Sequence, residues 1–152
     1  MNVFDLLKKD HKKVSALFSD IEELSGKEVV KKEKLFNELN LELTAHTAFE
    51  EQYLYPLIKE ADKTHDLTLE AYEEHRLVKQ LLSELGSMKK DIDEWDAKHT
   101  VLKELVEHHV EEEEGELFPK AKKVLSKEQI DDLTTKFKIE KDKLVVSGKT
   151  RK

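Results

Sequence analysis

The chain contains no cysteine, which excludes disulfides, thiolate zinc sites, iron–sulfur clusters and a cysteine nucleophile. Any metal must therefore bind through histidine and carboxylate. Glycine and proline are scarce, four and two in 152 residues, so turns are few and the segments between them are predicted to be long helices. Positive charge is in deficit, with 27 Lys and Arg against 34 Asp and Glu and a net charge of −7. Nucleic acids and anionic membrane surfaces both demand clustered positive charge, so neither is expected as a partner. No run of about 18 apolar residues occurs. The N-terminal MNVFDLLKKDHKK places Asp5 inside its only apolar stretch and has no basic leader. The expectation is a cytoplasmic protein.

What is present is charge and pattern. Charged residues make up 40% of the chain and hydrophobic ones 38%, enough to line a core if gathered on one face. In the first segment Leu7, Val14, Phe18, Ile21 and Leu24 recur at helical spacing, and Ser25-Gly26 supplies a stop. A second helix is predicted from about Glu28 to Lys59 through Leu35, Leu39, Leu43, Phe49, Tyr53 and Leu57, bent or ended by Pro56. Thr64 is the expected N-cap of a third, His65 to Lys89, with Val78, Leu82 and Leu85 on its stripe. A fourth begins near Ile92, carries Trp95, Leu102, Val106 and Leu117, and is closed by Pro119. Ser126 followed by Glu128 and Gln129 predicts the start of a fifth, with Ile130, Leu133, Phe137 and Ile139 as its apolar residues. Short connections force neighbouring helices antiparallel, so the fold class is all-α, an up-down-up-down four-helix bundle with an additional C-terminal helix. The expected organisation is one domain, residues 1–145. It comprises helical hairpins at about 3–60 and 65–119, a helix at about 126–144 and a loose tail at 146–152.

The chain also resembles itself. DHKKVSALFSDI (10–21) matches EHRLVKQLLSEL (74–85), with His11 over His75, and HTAFEEQYLYP (46–56) matches HVEEEEGELFP (109–119), with His46 over His109, Glu50 over Glu113 and Pro56 over Pro119. Each hairpin thus offers one His from its first helix and a His-x-x-x-Glu pair from its second. His11, His46, Glu50, His75, His109 and Glu113 fall on the apolar stripes, which point into the bundle. The helical rise sets all four His at about the same depth, roughly 20 to 27 Å from the hairpin turns. Two ionised carboxylates in an apolar core would cost many kcal/mol unless paired, and four imidazoles offer no cation other than a bound metal. His and Glu at i and i+4 share a helix face, so each pair can hold one metal or let the Glu bridge two. This is bundle-core chemistry of the di-iron or di-manganese kind.

Asp10-His11, HxxxEE at 46–51, Glu74-His75-Arg76 and HHVEEEEGELFP at 108–119 together resemble the motifs of the hemerythrin family, in its bacterial hemerythrin-like or HHE cation-binding branch, over residues 3 to 145. The resemblance implies an oxo- or hydroxo-bridged pair of iron ions, with manganese or zinc as alternatives. His11, His46, His75 and His109 would be terminal ligands and Glu50 and Glu113 bridges. It further implies a small diatomic or peroxide ligand and a redox partner the sequence does not name. The function expected is binding of, or reaction with, oxygen, peroxide or nitric oxide in stress response or sensing, with an iron-binding, sensing or storage module without turnover as the alternative. One departure stands out. Oxygen carriers of the family have a His-x-x-x-His pair on the third helix, and here Lys79 follows His75 by four residues. Reversible oxygen carriage is therefore not expected.

The remaining candidates are blander. His99 lies about 15 Å along the axis from His109, too far to join the centre, and reads as a partly buried polar residue. His108 points about 100° from His109 and reads as a solvated residue or a hydrogen-bonding support for a ligand, and His65, at a helix start, reads as a surface residue. Glu51 and Glu114 are expected to accept hydrogen bonds from neighbouring ligands. Tyr53 and Tyr72 read as packing residues, Tyr53 being also a candidate neighbour of the site. Lys79 is expected to reach a metal-bound water or solvent.

Overall fold

The computed structural model describes residues 1–24 and 28–146, and all the secondary structure among them is helical. Helix α1 spans Val3–Glu22, α2 Val29–Phe49, α3 Tyr55–Ile58, α4 His65–Ser87, α5 Asp93–Glu112, α6 Phe118–Val124 and α7 Lys127–Val146. The Ser25-Gly26 stop and the tail after residue 146 lie outside the described residues. Helices α1 and α2 pack as one hairpin, α4 and α5 as the other, and α7 lies against α1.

Local chemistry sets the helix starts. Asn2 accepts hydrogen bonds from Phe4 and Asp5 backbone N–H while Asp5 accepts from the Asn2 N–H, a capping box at the head of α1. Ser126 and Gln129 form the corresponding pair for α7, at 3.1 and 2.9 Å. Thr64 occupies the predicted cap position of α4 but makes no cap hydrogen bond. Its hydroxyl instead donates backward to the Ile58 carbonyl at 2.5 Å, tying the turn to the preceding helix.

The predicted second and fourth helices each contain a wide turn. Residues Glu50–Leu54 and Glu113–Leu117 are π-helical, closed by Tyr55 N–H on the Glu50 carbonyl and Phe118 N–H on the Glu113 carbonyl. Pro56 and Pro119 then fall in the first turn of the next α segment, where a missing N–H is tolerated. Pro119 therefore does not close its helix, which runs on to Val124. The extra residue in each wide turn also rotates the helix beyond it: Leu54, Tyr55 and Ile58 face the core, while Leu57 is 42% exposed rather than on the stripe. On α7, Leu133 and Phe137 are buried, but Ile139 is half exposed because it lies about 200° round the helix from Phe137.

The core divides in two. One apolar cluster includes Phe4, Leu7, Leu54, Tyr55, Phe118 and Phe137. The other includes Val14, Phe36, Leu82, Trp95, Leu102 and Val106. His11 sits in sequence between Leu7 of the first and Val14 of the second, and His46 between Leu43 and Phe49, so a polar layer separates the two clusters.

His99 lies in the second cluster and is only 2% exposed, deeper than its pattern suggested. It stacks on Trp95, centroids 5.2 Å apart, and its Nε2 has no hydrogen-bond partner. Burial pushes its pKa down to about 4, against weaker support from Glu22 and Asp96. A depressed histidine pKa favours folding above the unfolded value near 6.5 and loses that contribution as pH falls through about 4. His99→Leu is therefore expected to flatten the stability profile across this window by up to about 3 kcal/mol. Urea unfolding at pH 7 and pH 4.5 checks it: an unchanged pH dependence would remove His99 from the acid response.

Candidate metal centre

The six residues singled out by the repeat converge on one buried layer. Donor atoms of His11, His46, Glu50 and Glu113 lie within 4.8 Å of one another, as do those of Glu50, His75, His109 and Glu113, and all six residues are buried. Both carboxylates belong to both groups. Glu113 Oε1 is 3.2 Å from His11 Nε2 and 3.5 Å from His109 Nε2. Glu50 Oε1 is 3.4 Å from His46 Nε2 and 3.1 Å from His75 Nε2. The paired imidazoles face each other nitrogen to nitrogen, His11 with His46 and His75 with His109, each at 3.2 Å.

Each π turn places a shared carboxylate. The backbone carbonyls of Glu50 and Glu113 accept the wide-turn hydrogen bonds, so these side chains project at the point where the helix dilates, a common feature of functional sites in helices.

The outer ring nitrogens are all engaged by carboxylates. His46 Nδ1 is 2.9 Å from Asp10, His109 Nδ1 2.7 Å from Glu74, His11 Nδ1 2.7 Å from Glu114 and His75 Nδ1 2.8 Å from Glu51. The first two contacts stay within a hairpin, and the last two cross between hairpins. A proton held on each Nδ1 leaves the Nε2 lone pair facing inward, the arrangement that orients imidazole for a metal. Glu51 and Glu114 thus sit where the sequence placed them. Asp10 and Glu74 are additional, and the signal for them was their matching position immediately before His11 and His75 in the repeat.

Further residues support this ring. Lys79 does not reach the centre: it pairs with Glu51 at 2.8 Å and so props the carboxylate that holds His75. Lys141 of α7 pairs with Asp10 at 2.8 Å and with Glu42 at 3.1 Å. Tyr55 replaces Tyr53 as the site's tyrosine, because the π turn carries it inward. Its Oη is 2.5 Å from Glu113 Oε2, 3.1 Å from Glu50 Oε1 and 3.3 Å from His75 Nε2. Tyr53 lies outside against Phe49 and Glu140. The repeat counterpart of Tyr55 is Phe118, which stacks on His11 with centroids 6.1 Å apart, so the two halves are not chemically equal.

The electrostatics favour added positive charge. Burial opposes a charge on His46, yet Glu50 and Asp10 raise its pKa well above the ordinary value. His109 is likewise opposed by burial but lifted to about 10 by Glu113, Glu74 and Glu50. Burial works to raise Glu113, and His109 and His11 outweigh it, holding that carboxyl well below its usual range. Burial and the two carboxylates push the Tyr55 hydroxyl well above 10.

A metal fits these residues. Glu50 Oε2 and Glu113 Oε1 are buried with no hydrogen-bond partner, although imidazole nitrogens stand close by. Ligands about 2.1 Å from one ion in octahedral geometry lie about 3 Å apart, the spacing of these donor pairs. Nitrogen and carboxylate oxygen donors suit iron, manganese or zinc.

A model of the hemerythrin HHE cation binding domain matches residues 2–121. The chain belongs to this family. It is 32% identical over 144 residues to a DNA nickase of Nostoc sp., in a match taking in 95% of this chain and 40% of that protein. It is 26% identical over 137 residues to an uncharacterized hemerythrin-like protein of Schizosaccharomyces pombe, covering 89% of this chain and 66% of the other. The chain thus spans less than half the length of the Nostoc relative and about two thirds of the yeast one. The crystal structure of a hemerythrin HHE cation binding domain-containing protein from Mycobacterium kansasii superposes with a TM-score of 0.80 at 26% identity, over 97% of this chain and 89% of that one. The likeness therefore extends beyond residue 121 to the C-terminal helix. Among the described residues no helix is long and apolar enough to cross a membrane.

Proposed function

We propose that residues 1–145 act as a unit holding two iron ions, one between His11 and His46 and one between His75 and His109, with Glu50 and Glu113 shared between them. The pair binds or reacts with dioxygen, peroxide or nitric oxide. The observation that carries this reading is that both carboxylates face both imidazole pairs, with all four outer ring nitrogens engaged by carboxylates. When bound, a carboxylate-bridged pair of irons supplies two-electron exchange and open coordination positions.

The chain's own residues do the rest. Asp10, Glu51, Glu74 and Glu114 keep protons on Nδ1 and fix ring orientation. The apolar clusters on either side shield the polar layer from bulk solvent. Tyr55 holds a proton at Oη within reach of both shared carboxylates. A crevice of about 10 Å³ that borders His109 and Glu113 admits a molecule the size of water, which favours a diatomic or peroxide over any organic substrate. A cytoplasmic setting supplies ferrous iron and a reducing partner. With a net charge of −7, the chain is proposed to use neither nucleic acid nor membrane. The nicking activity named for the Nostoc relative is left with that longer protein.

The test loads the protein anaerobically with ferrous iron and adds hydrogen peroxide, dioxygen or nitric oxide in turn. Repeated consumption of peroxide, or spectral change with either gas, is expected, and Glu113→Ala should abolish it. Retained iron with no response to any of the three would leave the binding, sensing or storage module without turnover.

A further inference from the structure

Outside the buried layer, a second donor cluster stands on the face of α4 and α5. His108 Nε2 is 3.1 Å from Glu112 Oε1 and 3.7 Å from Glu74 Oε2, and the three residues offer donor atoms within 4.8 Å of one another. Imidazole with two carboxylates suits a divalent first-row ion, whereas carboxylates alone would suit calcium or magnesium. The His108 side chain is 61% exposed, so the cluster is open to solvent.

Three observations join it to the interior. Glu74 faces both ways: Oε2 is turned to His108 while Oε1 holds the Nδ1 of His109 at 2.7 Å. A crevice of about 10 Å³, room for about one water or ion, is lined by Glu74 and Glu112 on the outside and by His109 and Glu113 within. Glu113, 1% exposed, brings to it a carboxylate whose Oε1 has no hydrogen-bond partner. Outside, Glu70 and Glu73 border a shallow hollow with the cluster, Glu73 pairing with Arg76 at 3.0 Å.

At the matching place on the other hairpin a cavity of about 370 Å³ lies between α2 and α7, and none of the six buried donor residues lines it. The repeat counterparts of His108 and Glu112 are Ala45 and Phe49. Phe137 of α7 packs edge-on against Phe49 at 5.1 Å, and Lys141 covers Asp10, the counterpart of Glu74. Among the described residues the C-terminal helix lies over Asp10 and Phe49 on one face of a near-symmetric bundle and does not cover Glu74 and Glu112 on the other.

We propose that Glu74, His108 and Glu112 form a surface docking site for a divalent transition ion, from which ions pass along the crevice to the buried centre. The loading role rests on the two-metal reading of that centre; the site itself does not. Captured at this acidic mouth, an ion waits beside the core ligands rather than arriving from bulk solution.

Equilibrium dialysis against cobalt(II) tests the site. The wild type is expected to hold one more ion per chain than His108→Ala, and a Glu50→Ala, Glu113→Ala double variant should keep that ion while losing those of the core. Equal cobalt content in wild type and His108→Ala overturns the site. Anaerobic loading with limiting ferrous iron tests the route. His108→Ala combined with Glu112→Gln should fill about tenfold more slowly, in line with the on-rates that charged clefts supply, yet reach the same final iron content. An unchanged rate overturns the route. If the double variant loses no cobalt, the two-metal reading fails while the surface site stands.

Discussion

Glu113→Ala is expected to reduce the metal held at the buried centre from about two ions per chain to less than one. Its carboxylate belongs to both donor groups and faces one imidazole of each pair, so its loss removes a ligand and a neutralising charge from both halves together. Glu50→Ala should behave alike, since Glu50 is shared in the same way. His99→Ala, equally buried but in the far cluster, should leave metal content unchanged. The metal-free fold should weaken as well, because Glu113 accepts a hydrogen bond from Tyr55 and supports the charge on His109, and removing one partner of a buried pair costs about 3–5 kcal/mol. Metal analysis and thermal unfolding of the three variants check this. Full metal retention in Glu113→Ala would break the ligand assignment.

Chelation of both ions is expected to lower the melting temperature by about 15 to 30 °C. Ion concentrations of about 1,000 times Kd stabilise the folded state by about 4 kcal/mol per ion, and about 1 kcal/mol moves the midpoint of a domain this size by roughly 2–4 °C. The gap should widen with pH. A raised histidine pKa stabilises the metal-free fold below about 6.5 and loses that contribution as pH rises to about 10, the value for His109. His46 is raised in the same direction. Metal and proton compete for Nε2, so the metal-bound form gains where the metal-free form weakens. Calorimetry at pH 6.5 and 8.5, with and without chelator, should show the larger difference at the higher pH. A difference that shrinks with rising pH would mean that these imidazoles do not bind the ions.

Much of this was legible in the sequence because two periodicities coincided. Helical spacing put six polar residues on apolar stripes, and the internal repeat put them in matching places, so His11, His46, Glu50, His75, His109 and Glu113 could be grouped without a structure. The π turns broke the reading downstream. A period of 3.6 carries Tyr53 and Leu57 inward, whereas one added residue per wide turn brings in Leu54 and Ile58 instead, with Tyr55 buried beside them. A proline six residues after each shared glutamate was the available clue. Lys141 could not have been found from pattern, because its role depends on how α7 lies across the first hairpin, a tertiary contact with no trace in local spacing. The openness of the α4–α5 face likewise comes from where α7 is absent, although Ala45 and Phe49 opposite His108 and Glu112 already marked the two hairpins as unequal.

The central claim is two irons sharing Glu50 and Glu113, and elemental analysis of the purified protein, repeated after anaerobic ferrous reconstitution, tests it most directly. The predicted result is about two irons per chain, with near-ultraviolet and visible absorption that shifts when azide takes an open position. Zinc alone, or no metal after reconstitution, would contradict it and leave a helical bundle whose buried histidines and glutamates serve some other end.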